Sequence, residues 1–282
     1  MNGNISRHGI TADLEAMQRV GIGGLQIFDV SDSIPQGRVE YMGAEWRELT
    51  AHAVREAGRL GMEVCLHNGP GWSASGGPWI TPELAMQKVV YSSRRYKGPA
   101  VYGADLEQPA AVKDYYQDIL VLAFPTPAGE IADGTGFRIA DWEAKAGYTS
   151  KEPLSLDMRA VPENEIIALD RVVDLTGLRK WDVPPGEWTI VRFGHTPTGV
   201  TNRQAPEGGL GLECDKLSRT AAKFHWDHFV GKILTDAGPL SGRVLNNILI
   251  DSYEVKMQNW TPGLFEHFQR LRGYDMRSYL PC

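Results

Sequence analysis

The chain has 282 residues, 42% hydrophobic and 23% charged, with a formal net charge of −6. That balance fits one or two globular domains with a sizeable core, and a negative charge with dispersed basic residues excludes the electrostatic footprint of a nucleic-acid binder. No run reaches the roughly 18 apolar residues of a membrane span, and no basic stretch followed by an apolar one marks the N-terminus.

The chain opens on "MNGNISRHGI" and stops on "YLPC", so a piece of a longer protein is expected. Cys65, Cys214 and Cys282 lie far apart without a C-x-x-C pair, which predicts neither a zinc knuckle nor a disulfide framework. Cys65 in "EVCLH" reads as a small core residue.

Along the chain, "TADLEAMQRV" (Thr11 to Val20) places Leu14, Met17 and Val20 at helical spacing, with Gly21 as a stop. "GGLQIFDV" (Gly23 to Val30) reads as a buried strand. "GAEWRELTAHAVREAGRLG" (Gly43 to Gly61) is a longer helix with Trp46, Leu49, Ala53, Ala57 and Leu60 on one face, and "MEVCLHN" is the next strand. This rhythm is that of parallel βα units. From about Met86 to Thr201 it gives way to the β-type segments "QKVVYSSRRYKG", "YYQDILVLAFPTP", "IIALDRVVDLT" and "GEWTIVRFGHT", broken by Pro and Gly. The βα rhythm then resumes, with a helix over Asp215 to Leu234 and the strand "RVLNNILID". A last helix is expected with Thr261 as N-cap, Gly273 at its end, and Leu264, Phe265, Phe268 and Leu271 facing inward.

The division predicted is 1–85 for the first βα units, 86–201 for an inserted β-rich module, and 202–282 for the continuation through a fourth strand and its helix. The first helix lacks a preceding strand. The fold class is therefore α/β: a partial (β/α)8 TIM-like barrel, of which a complete copy needs about 250 residues before insertions, carrying a β-rich insert. A doubly wound sheet is the second choice, weakened because no G-x-G-x-x-G follows a strand.

In either fold, ligands bind beyond the carboxyl ends of the strands. Residues at such ends are Asp29, His67 with Asn68, and Asp251 through Glu254; Asn2 and Asn4 join them if a strand precedes the first helix. The glycine-rich "NGPGWSASGGPW" (Asn68 to Trp79) lacks the Gly-Lys-Ser/Thr of a P-loop and the G-x-S-x-G of a nucleophile elbow. Trp72 could offer its indole face to a sugar or pack on a neighbouring loop. His67 and Asn68 could bind a ligand or satisfy local backbone. Asp29 could orient a substrate hydroxyl or cap the turn "DVSDS". Asp215 reads as an N-cap, although Glu213 and Asp215 together could hold a hard cation through oxygen.

Glu254 is the preferred catalytic candidate. Directly after an apolar strand, a glutamate can be partly buried, which raises its pKa toward working pH and lets it donate a proton. Asp251 and Tyr253 are placed to orient it, though strand alternation would set Ser252 and Glu254 on the opposite side unless the strand has already ended. The plainer reading is a glutamate paired with a basic residue at the rim.

"NGNISRHGITADLEAMQRVGIGGLQIFDV", "HNGPGWSASGGPWITPELAMQ" and "DSYEVKMQNWTPGLFEHFQRLRGYD" together resemble the catalytic region of the α-L-rhamnosidases of glycoside hydrolase family 106. The resemblance implies a (β/α)8 barrel inside a larger multidomain protein, inversion of configuration, calcium (Ca2+) at the active site, and Glu254 as the catalytic acid at the end of the fourth strand. It also implies a rhamnose-containing oligo- or polysaccharide as substrate and a periplasmic or extracellular parent protein. Asn4, Asp29, His67, Asn68, Trp72, Asp251 and Tyr253 are then the substrate-binding candidates. Inversion needs a second carboxyl group, roughly 6.5 to 9.5 Å from the first. This base is expected beyond Cys282, and this stretch alone is expected to be inactive. A non-catalytic carbohydrate-binding piece and a metal-dependent esterase are the competing readings.

Overall fold

The structure, a computed structural model, describes residues 2–103, 106–126, 161–169, 181–251 and 253–280. The chain divides into two compact units, one of residues 1–86 and 197–258, the other of 87–196 and 259–282.

In the first unit the hydroxyl of Ser6 accepts the Gly9 N–H at 3.1 Å, so helix α1 (Arg7–Arg19) starts ahead of the expected Thr11. Strand β1 (Gly24–Ile27) follows, then α2 (Ala44–Arg59), which buries Trp46, Leu49, Ala53 and Ala57 as their spacing predicts, and β2 (Glu63–His67). After the second unit's long excursion the chain forms α3 (Arg219–His228), α4 (Val230–Ala237) and β7 (Leu245–Leu249). The single helix expected over Asp215 to Leu234 is thus two. Its N-cap is Ser218, whose hydroxyl accepts from Ala221, and the break falls at Phe229 (φ −121°, ψ −83°), a residue buried in the core.

The three strands are adjacent and parallel in the order β1-β2-β7, with Leu25 opposite Val64 and Leu66 opposite Ile248. Leu14, Trp46, Leu49, Val54, Val64, Leu66, Phe229, Ile233 and Leu245 form their shared core with the helices. The architecture expected from the βα rhythm is present, as an open sheet; no closed barrel forms among the described residues. Only the central strand β2 is well buried. β1, expected to be buried, alternates exposed and half-buried residues, and β7 exposes Asn246 and Asn247; among the described residues each has a neighbouring strand on one side only.

The β-rich stretch lies outside that sheet, as expected, and makes its own. Strands β3 (Gln87–Tyr102), β4 (Gln117–Pro125), β5 (Ile167–Ala168) and β6 (Trp181–Pro197) run in the order β3-β6-β4-β5, with β4 antiparallel to β5 and β6. The period-2 pattern of β4 explains its burial on both faces. Leu120, Leu122 and Phe124 join one cluster with Val191, Phe193, Trp260 and Phe265; Val121 and Ala123 join another with Tyr102, Trp188 and Ile190. The rest of "IIALDRVVDLT", from Asp170 onward, lies outside the described residues, as does Cys282.

The last helix, α5 (Leu264–Arg272), belongs with this second unit rather than continuing the βα unit, since Trp260 and Phe265 supply part of its core. Its N-cap is Gly263, in the left-handed region at φ +79°, instead of Thr261. Phe265 is buried, whereas Leu271, expected inward, is 71% exposed.

Candidate active site

Beyond the carboxyl ends of β1, β2 and β7 the polar residues fall into two groups, those locked by hydrogen bonds and those exposed to solvent. Asp29, two residues past β1, is locked. Its Oδ1 accepts the Asn2 N–H at 3.0 Å and its Oδ2 the Trp46 indole N–H at 2.8 Å. It braces the start of the chain and α2 against the strand end. Asn4 likewise ties loops together, donating from Nδ2 to the Pro35 carbonyl at 2.8 Å.

His67 ends β2 with only 1% of its surface exposed. Its Nδ1 faces the Gly69 carbonyl at 2.7 Å, so Nδ1 carries the hydrogen, and the buried Nε2 has no hydrogen-bond partner among the described residues. Burial pulls the imidazole pKa down, against opposing contributions from Gly69 and Asp251, and keeps the ring neutral. The ring packs 4.1 Å from that of Phe28, which in turn meets Trp72 edge-on at 5.0 Å. Trp72 packs against Phe28 and remains 37% exposed.

The loop carrying Trp72 is shaped by close backbone approach. A Cβ on Gly71 (φ +79°) would sit 2.1 Å from the Arg203 carbonyl oxygen, so only glycine fits. Asn68 anchors the loop three ways. Its N–H donates to Leu249 of β7 at 2.9 Å, its side chain to the Ala74 carbonyl at 2.9 Å, and its carbonyl accepts from His225 Nε2 at 2.6 Å. His225 accepts the Trp79 indole N–H on Nδ1 at 3.1 Å, and burial depresses its pKa to about 4.

A second buried cluster centres on Glu213. Its Oε2 accepts from Ser75 Oγ at 3.1 Å and from Lys216 Nζ at 2.5 Å, while Oε1 is buried without a partner among the described residues. Asp215 is not an N-cap; its Oδ1 accepts the Leu217 N–H at 2.9 Å and the Gln258 amide at 2.5 Å, organising a turn ahead of α3. Calcium takes about six to eight oxygen ligands. Here one cation, Lys216, already sits on Glu213, and among the described residues no three His, Cys, Asp or Glu gather. Glu213 and Asp215 alone fall short of that number of oxygens. Between them the Cys214 thiol is pushed up to about 12 by burial, which makes it inert.

Asp251, Tyr253 and Glu254 are the open group. β7 has ended at Leu249, so strand alternation does not separate them. All three are exposed, and Glu254 lacks the partial burial expected of it. Tyr253 lies under the Lys216 ammonium, 5.5 Å from its ring centroid. Sequence reasoning missed Phe28, Ser75, Lys216 and His225. The i,i+3 spacing of Glu213 and Lys216 was the one available signal; nothing local marks the others.

A parallel βα unit with a half-exposed indole and several carboxylates beyond its strand ends is of the class that binds small polar ligands there, sugars among them. Comparison with known proteins supplies the family. The model of the glycoside hydrolase 106 family, described as alpha-L-rhamnosidase, matches residues 1–282, and the chain belongs to that family. A Formosa agariphila protein named "Putative beta-glucuronidase" is 44% identical over 288 residues, covering 100% of this chain and 24% of that protein. The structure of a rhamnosidase from Novosphingobium sp. PP1Y superposes with a TM-score of 0.84 at 26% identity, over 100% of this chain and 40% of the other. The chain thus spans about a quarter of its curated relative.

Proposed function

We propose that the complete protein carrying this chain is a glycoside hydrolase that removes terminal α-L-rhamnosyl groups with inversion, and that Glu254 is its general acid. Family membership and the rhamnosidase-like fold support the reaction class. The observation that carries the residue is placement: the chain that leads to Glu254 leaves β7 beside the end of β2, close enough for Asp251 to act on the His67 ring. Glu254 protonates the glycosidic oxygen as the bond to the sugar ring breaks, and a second carboxyl group activates water on the opposite face. No residue of this chain is assigned the second role. Substrate binding covers the exposed Glu254 carboxyl, and exclusion of water from it is part of the mechanism.

The same reading extends the open sheet to a (β/α)8 barrel. It is supported by the exposed faces of β1 and β7 and by Ile250, 69% exposed, where parallel sheets are normally covered. Coordinates of the complete protein that leave the outer edges of β1 and β7 unpaired would remove this part.

A glucuronide is the second substrate reading, favoured by the name of the Formosa agariphila relative. The cluster's own cation, Lys216, is paired with buried Glu213, and the surface Phe28 and Trp72 offer is apolar. That suits the methyl group of a 6-deoxy sugar better than a uronate. Assays of the complete protein on nitrophenyl α-L-rhamnoside and nitrophenyl β-D-glucuronide separate the two. On the rhamnoside reading, Glu254→Gln lowers turnover of an alkyl rhamnoside by roughly 10² to 10⁴. The loss shrinks for the nitrophenyl substrate, whose leaving group needs little protonation. Equal losses on both, with folding intact, would make Glu254 something other than the acid.

A further inference from the structure

Glu254 is exposed, and among the described residues its side chain has no hydrogen-bond or ion-pair partner. Such a residue can be aimed only through its backbone, and the backbone around it is held at several points. On one side is Tyr253, capped by the Lys216 ammonium. On the other are Val255, 1% exposed, and Gln258, whose amide donates to Asp215 Oδ1. Between these anchors Lys256 sits at φ +62°, a left-handed conformation that a non-glycine residue keeps only when its surroundings impose it.

Lys216 is itself fixed. Its ammonium donates to Glu213 Oε2 at 2.5 Å and to the Cys214 carbonyl at 3.5 Å, and Glu213 is tied by Ser75 to the loop after β2. A continuous line therefore runs from the β2 loop through Ser75, Glu213 and Lys216 to Tyr253, the neighbour of Glu254.

We infer that Lys216, backed by buried Glu213, is the positioning residue that aims Glu254. The ion pair is a rigid arm whose far end grips the Tyr253 ring, and loss of the grip lets the acid swing away from the glycosidic oxygen. This rests on Glu254 being the general acid, and the test distinguishes the two. In the complete protein, Lys216→Met lowers kcat on an alkyl rhamnoside by about 10- to 100-fold, the scale of a misplacement of about 1 Å, with KM little changed. Lys216→Arg restores most of it, since a guanidinium also pairs with a carboxylate and stacks on a ring. Tyr253→Leu, which spares the buried pair, reproduces the kcat loss, and the double substitution Lys216→Met/Tyr253→Leu is no worse than either single one. In a Glu254→Gln background neither substitution lowers kcat further.

Independent, multiplying losses from Lys216→Met and Glu254→Gln would overturn the inference while leaving Glu254 as the acid. A loss confined to KM would do the same. Wild-type kcat in Glu254→Gln would overturn both. Should Lys216→Met fail to fold, Tyr253→Leu alone decides, because Tyr253 is 45% exposed and stands outside the core clusters.

Discussion

The end of β2 and the end of β7 are neighbours in one parallel sheet, yet they are built in opposite ways. Past β2, His67, Asn68, Ser73 and Ser75 are all buried, and the loop is pinned by hydrogen bonds to Leu249, His225, Arg203 and Glu213. Past β7, Asp251, Tyr253 and Glu254 are exposed, and among the described residues the carboxylate proposed to do the chemistry has no partner of its own. The contrast separates two demands on a strand-end site. Groups that hold the frame are mostly satisfied inside the protein, His67 Nε2 and Glu213 Oε1 excepted among the described residues, because an unpaired buried polar atom costs about 1 to 3 kcal/mol. A group that meets substrate must keep its hydrogen-bonding capacity free until substrate arrives.

His225 is the place to break the locked side, and the effect expected there is the larger. Its pKa of about 4 in the folded protein lies below the ordinary 6.5, so the unfolded chain binds the proton more readily. Stability contributed by the neutral ring is present above pH 6.5 and is lost as the pH falls from 6.5 toward 4. At about 1.4 kcal/mol per pH unit the loss reaches about 3 kcal/mol. His225→Gln can keep one donor toward Asn68 and one acceptor toward Trp79 while never charging. Denaturant unfolding of both proteins should show the wild type's advantage shrinking by about that amount across this window. An advantage that stays constant with pH would mean His225 is not held neutral by burial.

How much of this contrast is legible in the sequence depends on whether the signal is local. The parallel pairing of β1, β2 and β7 follows from apolar runs alternating with amphipathic helices, and α2 buries the residues its 3.6-residue period selects. The strand-end list is equally legible, because any residue following such a run stands at the site's rim. What the sequence hides is tertiary. Asp29 looks like a ligand-facing carboxylate until Asn2 and Trp46 are seen to occupy both its oxygens. Asp215 looks like an N-cap until Ser218 is found in that role. The helix over Leu264 to Arg272 has a good amphipathic pattern, but the pattern does not say which core it serves; Trp260 and Phe265 assign it to the antiparallel sheet. The burial of Glu254 was inferred from its position after a strand, whereas burial depends on what covers that position.

Trp72 tests the open side, with a smaller effect. Its indole is held edge-on by Phe28 and leaves 37% of its surface exposed, so it is oriented without being consumed by packing. A sugar stacking on the free face would bury apolar area at little entropic cost, since the ring is already fixed. Trp72→Ala in the complete protein should therefore weaken substrate binding by about 1 to 3 kcal/mol, read as a higher KM or inhibitor Kd with kcat less affected. Phe28→Leu should reproduce a fraction of that loss, because it frees the indole without removing it. If Trp72→Ala leaves binding unchanged and lowers only the melting temperature, the tryptophan belongs with the locked residues of the β2 loop, and the boundary between frame and binding surface moves outward past it.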